Sequence, residues 1–320
     1  MQEKVRNQFG GTVMVIGIRP TVDFAFKLMF GSPEHSRVTI HFLNAVLGRQ
    51  LRITEITIRN PFLGKDNEDD KLSVLDIRAI DEHGRLLNIE MQTTLPAGMP
   101  QRLTYYTARV YSDQMNEGDP YSSLRPAISI CVLTRPMFPD ASELHLEFQL
   151  RTSSGLLLTE DLQVHLLQLS NLDVTAENVF EASAIEQWAY FMLNADKLTL
   201  EDVKRLFPDP EFTEAAGILE MISKSPEQQM HYEARLKFQR DEAAKLEAAR
   251  LGATRDELEA ARVEGRVEGL RKGELLGRIA VLQELLGVAE PTPAELSSYD
   301  EPHLSELAET LQRQIRSRGQ

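Results

Sequence analysis

The first ~135 residues predict an α/β layer plan, in the order helix, three strands, helix, strand. Three stretches carry that prediction. "HFLNAVLG" places Phe42, Leu43, Val46 and Leu47 at helical spacing, with Gly48 as a stop. "LSVLDIRAIDEHGRLLNIEMQ" alternates apolar and polar residues on both sides of "DEHG", the pattern of a β-hairpin. "RPAISICVLT" is a short continuous apolar run, as in a strand buried on both faces.

Taken in order, "RPTVDFAFKLMFGSPEHSRVTIHFLNAVLG" predicts helix interrupted near "FGSPEHS", and "RITEITIRNPFL" alternates like a strand. The loop "GKDNEDDK" follows. Its Asp66, Glu68, Asp69 and Asp70 do not make a calcium loop, because Lys71 stands where the EF-hand needs glycine and no twelfth-position Glu follows. After the hairpin, "MPQRLTYYTARVYSDQMNEGDPY" reads as a helix ending near Gly118, with Pro120 just beyond. "LHLEFQLR" and "LQVHLLQL" are further strands. Residues 175–225 are helical in pattern and include Trp188, a core anchor. From Pro226 the chain turns to Ala, Glu, Arg, Leu and Gln, with no aromatic between Phe238 and Tyr299. That composition predicts a long exposed helix or coiled coil. Gly265, Gly269, Gly273 and Gly277 recur there every four residues. They form one stripe where a second backbone has room to approach, although each glycine costs a helix about 1 kcal/mol. The expected organisation is an N-terminal extension (1–18), a catalytic-type domain (19–172), a helical region (173–225) and a self-associating helical tail (226–320).

Bulk properties narrow the function classes. The 320 residues are 42% apolar and 26% charged, ordinary for a soluble globular chain. No run approaches the ~18 apolar residues of a membrane span, and the start lacks a secretory h-region. The single cysteine, Cys131, rules out an internal disulfide, and a reducing, cytoplasmic setting is expected. No Walker A, GxGxxG or HExxH motif is present. The net charge of −14 opposes phosphate binding, but its distribution does not. Residues 1–125 hold 15 Lys+Arg against 15 Asp+Glu, so the acidity belongs entirely to the remainder.

The hairpin holds the candidate chemistry. Ile77 and Ala79 share a face with Leu87, Ile89 and Met91, leaving Asp76, Asn88, Glu90 and Gln92 on the other. A turn of about three residues, Glu82 to Gly84, pairs Asp81 with Arg85 and sets Asp76 opposite Glu90. Two carboxylates so close repel, and a divalent cation between them turns that penalty into a use; Mg²⁺ is commonly held by one or two carboxylates plus water and phosphate oxygen. An exposed pair in a register one residue off remains the alternative at this stage. On the following helix Arg102, Tyr105, Tyr106 and Arg109 share one side, suited to phosphate and unpaired bases. Lys27 is a further phosphate candidate.

The ordered stretches "RPTVDFAFKLMFGSPE", "FLNAVLG", "LSVLDIRAID…GRLLNIEMQ" and "RLTYYTARVYSDQMNEGDPYSSLRPAISI" resemble the PD-(D/E)XK nuclease family transposases, the recombination-promoting nucleases. The resemblance implies a restriction-endonuclease-like αβββαβ core with a mixed central sheet, and metal-dependent DNA endonuclease activity with Mg²⁺ or Mn²⁺. It implies DNA as the partner. Asp76 and Glu90 match the metal-binding carboxylates, and Gln92 stands where the wider superfamily usually has lysine. Asp23 in "TVDFAFK" matches the acidic residue of the first core helix, although "TVD" is also a fair helix start. "LLQLSNL" departs from the family by lacking its Glu-Leu-x-Lys run. A nuclease fold with weak catalysis, acting as a DNA-binding or regulatory partner, is the second expectation.

Overall fold

The computed structural model describes residues 4–6, 12–48, 52–59, 77–252, 271–283, 286–288, 291, 295–296 and 299–318. The "GKDNEDDK" loop, Leu75, Asp76, Gly265 and Gly269 lie outside the described residues. The chain forms two compact units, Met1–Ser225 and Pro226–Gln320.

In the first unit, β1 (Lys4–Arg6) and β2 (Thr12–Met14) make a small antiparallel ribbon. Helix α1 (Asp23–Phe30) stops at Gly31, and a single 3₁₀ turn at Pro33–His35 leads into α2 (Ser36–Leu47). This is the interruption predicted near "FGSPEHS". Pro33 lacks the N–H that a continuous helix needs, and Thr39 Oγ1 instead donates to the Phe30 carbonyl across the break at 2.8 Å.

The main sheet contains β3 (Ile56–Ile58), β4 (Ile77–Asp81), β5 (Leu86–Gln92), β6 (Ala127–Leu133), β7 (His145–Arg151) and β8 (Leu157–Gln168). Their spatial order is β3-β4-β5-β6-β8-β7. The β5–β6 and β6–β8 pairs are parallel and the others antiparallel, so the sheet is mixed, as expected. Helix α3 (Met99–Ser112) crosses from β5 to β6 and gives the predicted helix, three strands, helix, strand.

The helix ends at Ser112, six residues before the predicted stop at Gly118. Gln114 is the reason. Its side chain accepts from Arg125 N at 3.0 Å and donates to Arg125 O at 2.9 Å, so it satisfies loop backbone rather than continuing the helix. Gly118 lies beyond, in a turn at φ 92.

Helices α4 (Ala184–Asn194), α5 (Leu200–Leu206) and α6 (Pro210–Lys224) complete the unit. Trp188 is fully buried, with rings of Phe30 at 5.4 Å, Phe42 at 5.8 Å and Phe212 at 4.4 Å. Its indole N–H donates to His41 Nδ1 at 3.0 Å, which leaves the His41 Nε2 proton for Asp209 at 3.1 Å. Aromatic packing on α1, α2, α4 and α6 thus carries one satisfied polar chain.

The second unit begins with α7 (Pro226–Gly252), the long polar helix read from composition. Residues 271–283 are helical, and with α8 (Glu301–Arg318) they belong to a small apolar core around Ile279, Leu286, Leu304, Ala308 and Leu311. At Gly273 and Gly277 an added Cβ would meet nothing within 4 Å.

Candidate active site

The turn between β4 and β5 fixes the site's register. Asp81 Oδ1 accepts the N–H of His83 at 3.0 Å and of Arg85 at 2.9 Å, while Arg85 Nε donates to Asp81 Oδ2. Gly84 takes φ 78, a left-handed conformation that side-chain-bearing residues rarely adopt. The turn therefore occupies Glu82–Gly84 as expected. The ladder runs Ile80↔Leu86, Ala79↔Leu87, Arg78↔Asn88, Ile77↔Ile89.

Glu82 ties this turn to the entry of β3. Desolvation raises its pKa, but hydrogen bonds from Thr54 Oγ1 at 2.7 Å, Thr54 N at 2.8 Å and Glu55 N overcome that and lower it to about 2.

The parallel register of β5 with β6 shows which way the polar residues point. Asn88, Glu90 and Gln92 pair with Ser129, Cys131 and Leu133. Met99 and Leu103 of α3 pack on Cys131, Leu133 and Leu166, and Thr107 Oγ1 lies 2.7 Å from Ser129 Oγ. The polar face of β5 is thus the face that α3 covers. Residues 87–91 are all buried, so this is not a solvated sheet surface. Glu90 is only 3% exposed, and Gln92 Nε2 donates to its Oε2 at 3.3 Å. Asn88 is buried beside it on the strand, and its Oδ1 has no hydrogen-bond partner among the described residues. Sequence reading placed Asn88 on this face without giving it a role; its place two residues before Glu90 was the available signal.

Helix α3 buries Met99, Leu103 and Thr107 and turns Arg102, Tyr106 and Arg109 to its half-buried flank. The Arg102 guanidinium lies 5.5 Å from the Tyr106 ring centroid, and its buried Nε lacks a hydrogen-bond partner among the described residues. Arg109 pairs with Asp113 at 3.4 Å, and Tyr105 points outward. Asp23 is the first residue of α1, is buried, and accepts the N–H of Phe24 at 2.8 Å, as a residue at a helix start does. Lys27, one turn on, is half-buried. Gln168, in the stretch that departs from the family run, is buried and straps Phe138, accepting its N–H at 2.9 Å. Cys131 is fully buried beneath α3, consistent with an inert thiol.

A family model of the PD-(D/E)XK nuclease family transposases matches residues 20–249. The chain belongs to that family. No curated protein and no solved structure matches it. For a PD-(D/E)XK nuclease family transposase the six-stranded mixed sheet with α3 crossing behind β5 is the family's nuclease-like fold, and the family carries a nuclease-related function.

PD-(D/E)XK nucleases generally use divalent metals. Among the described residues no group of three His, Cys, Asp or Glu side chains is gathered to hold one, and Asp76 lies outside them. The donors that are described fit a hard cation in kind: a buried carboxylate at Glu90 and an unpartnered amide oxygen at Asn88. Among the described residues no helix is long and apolar enough to cross a membrane.

Proposed function

We propose that this protein is a divalent-metal-dependent DNA endonuclease, linked to recombination or transposition and working in the cytoplasm. The observation that carries the reading is the burial of Glu90, with Gln92 bound to it, on the face of β5 that α3 covers. A carboxylate taken out of water requires hydrogen bonds or a cation to offset its desolvation.

Asp76 and Glu90 would hold Mg²⁺ or Mn²⁺. Such an ion, when bound, polarises the scissile phosphate and lowers the pKa of an attacking water. The Gln92 amide orients the Glu90 carboxylate, and as a neutral group it adds no positive charge at the phosphate. Asp23 contributes from the start of α1. Arg102, Tyr106 and Arg109, with Lys27, would bind the DNA backbone. The tail from Pro226 would bring copies together.

Glutamine at position 92 favours a second reading, a DNA-binding partner with weak catalysis. Nicking of supercoiled plasmid in Mg²⁺, Mn²⁺, Ca²⁺ or EDTA separates the two. Cutting in Mg²⁺ or Mn²⁺ that EDTA stops supports the endonuclease. Salt-sensitive binding without cutting supports the partner. Neither binding nor cutting would sink both.

A further inference from the structure

The sheet ends at β7, and no strand among the described residues pairs with its outer edge. An edge strand presents a row of backbone donors and acceptors to any extended chain that fits it. Natural edges are commonly blunted by charge or by a bulge. Here the irregularity belongs to the inner partner: between Gln149 and Leu150 the pairing on β8 steps from Gln163 to Thr159, so the extra residues are in β8. β7 itself advances one residue at a time.

Its side chains are also apolar for an edge. Phe148 is 42% and Leu150 45% exposed, and the exposed Phe138 extends the patch with its ring 5.4 Å from that of Phe148. On the alternate positions Arg151 Nη2 donates to Gln149 Oε1 at 2.5 Å, and Gln149 Nε2 donates to Glu147 Oε1.

This strand is complementary to itself. In an antiparallel pair of two copies centred on Gln149, Glu147 of each copy falls opposite Arg151 of the other, and Phe148 falls opposite Leu150. The ion pair and the apolar pair each occur twice, as two-fold symmetry requires. A register shifted by one, centred on Phe148, loses the Glu147–Arg151 match and sets His145 against Arg151 instead. The charges therefore select one register.

We propose that β7 is an interface for a second copy of this chain, joining the two sheets edge to edge through antiparallel His145–Arg151 strands centred on Gln149. The strand shares no residue with the tail or with the Glu90 site, so the interface stands or falls independently of the nuclease reading.

The test uses the full chain with cysteine placed at the symmetry centre. Gln149→Cys brings two thiols opposite each other, whereas the native Cys131 is fully buried. With a short bis-maleimide, Gln149→Cys should crosslink at least about tenfold faster than Glu160→Cys, an exposed control on β8. Adding Glu147→Arg or Arg151→Glu should slow the reaction, and adding both should restore it. Equal rates at positions 149 and 160 would overturn the interface. So would charge reversals whose effects simply add, because facing pairs must rescue each other.

Discussion

The side-chain amide of Gln92 donates to the buried carboxylate of Glu90 across 3.3 Å, two residues apart on one face of β5. That bond puts position 92 on the Glu90 side of the sheet rather than in the apolar core beneath Ile89 and Met91. A charged residue there would meet a carboxylate.

Gln92→Lys is therefore expected to fold. Its ammonium restores the charge that the wider superfamily carries beside the scissile phosphate, where transition-state charge develops. Plasmid nicking by the variant should equal or exceed the parent's, with little change in Tm. A folded Gln92→Lys that has lost cutting would remove position 92 from the reaction.

If Asp76 faces Glu90 as the sequence pattern predicts, Asp76→Ala should abolish metal-dependent cutting without lowering the urea midpoint of the metal-free protein, because it removes one of two like charges. Persistent Mg²⁺-dependent cutting by this variant would exclude Asp76 as a ligand. A large drop in midpoint would show that Asp76 is a structural residue.

Replacing Arg102 and Arg109 together with alanine should weaken DNA binding and flatten its salt dependence by about one to two units of log–log slope, since fewer counterions are released. Arg109 already has an ion-pair partner in Asp113, so the larger share should fall on Arg102. An unchanged slope would assign both to packing against Tyr106 and the helix surface.

His165 carries the clearest pH signature. Burial, then the neighbouring His145, pushes its pKa down to about 3, and burial also lowers that of His145. His145 and His165 stack, with ring nitrogens 3.0 Å apart, and His165 Nε2 lies 3.2 Å from Gln163 Oε1. Both pKa values lie below the ordinary 6.5, so the unfolded chain binds more protons as pH falls below that value. Stability should be fully present above about pH 6.5 and decline towards pH 3. Glu82, drawn down to about 2, adds its own loss only below its ordinary 4.5. Urea midpoints measured from pH 7 to 4.5 should fall, and His165→Gln should reduce that slope. A flat profile across this window would contradict the assignment.

Trp188→Ala should lose about 3–5 kcal/mol, the range for deleting a large aromatic from a packed core. Trp188→Phe should lose less, yet it leaves His41 Nδ1 without its donor. Chemical denaturation of the two variants tests both statements; equal losses would mean that the ring adds nothing beyond its N–H, and a Trp188→Phe as stable as the parent would mean that the N–H contributes nothing.

The sequence alone determined what depends on near neighbours along the chain. Period-two alternation and "DEHG" pointed to the hairpin and, for a turn of about three residues, to its register; the structure excludes the one-residue slip, because the turn length sets every pair that follows. Helical spacing found α2, and the buried run found β6. The end of α3 was not legible, because Gln114 spends its side chain on Arg125, eleven residues away. Only the tertiary structure could decide that the polar face of β5 is buried. The same alternation suits a sheet open to water, and what closes that face is α3, packed through Met99 and Leu103 onto the neighbouring strands. Likewise β7 reads in sequence as one more strand. Its place at the edge follows from β8 running beside β6, a long-range pairing that no local pattern encodes.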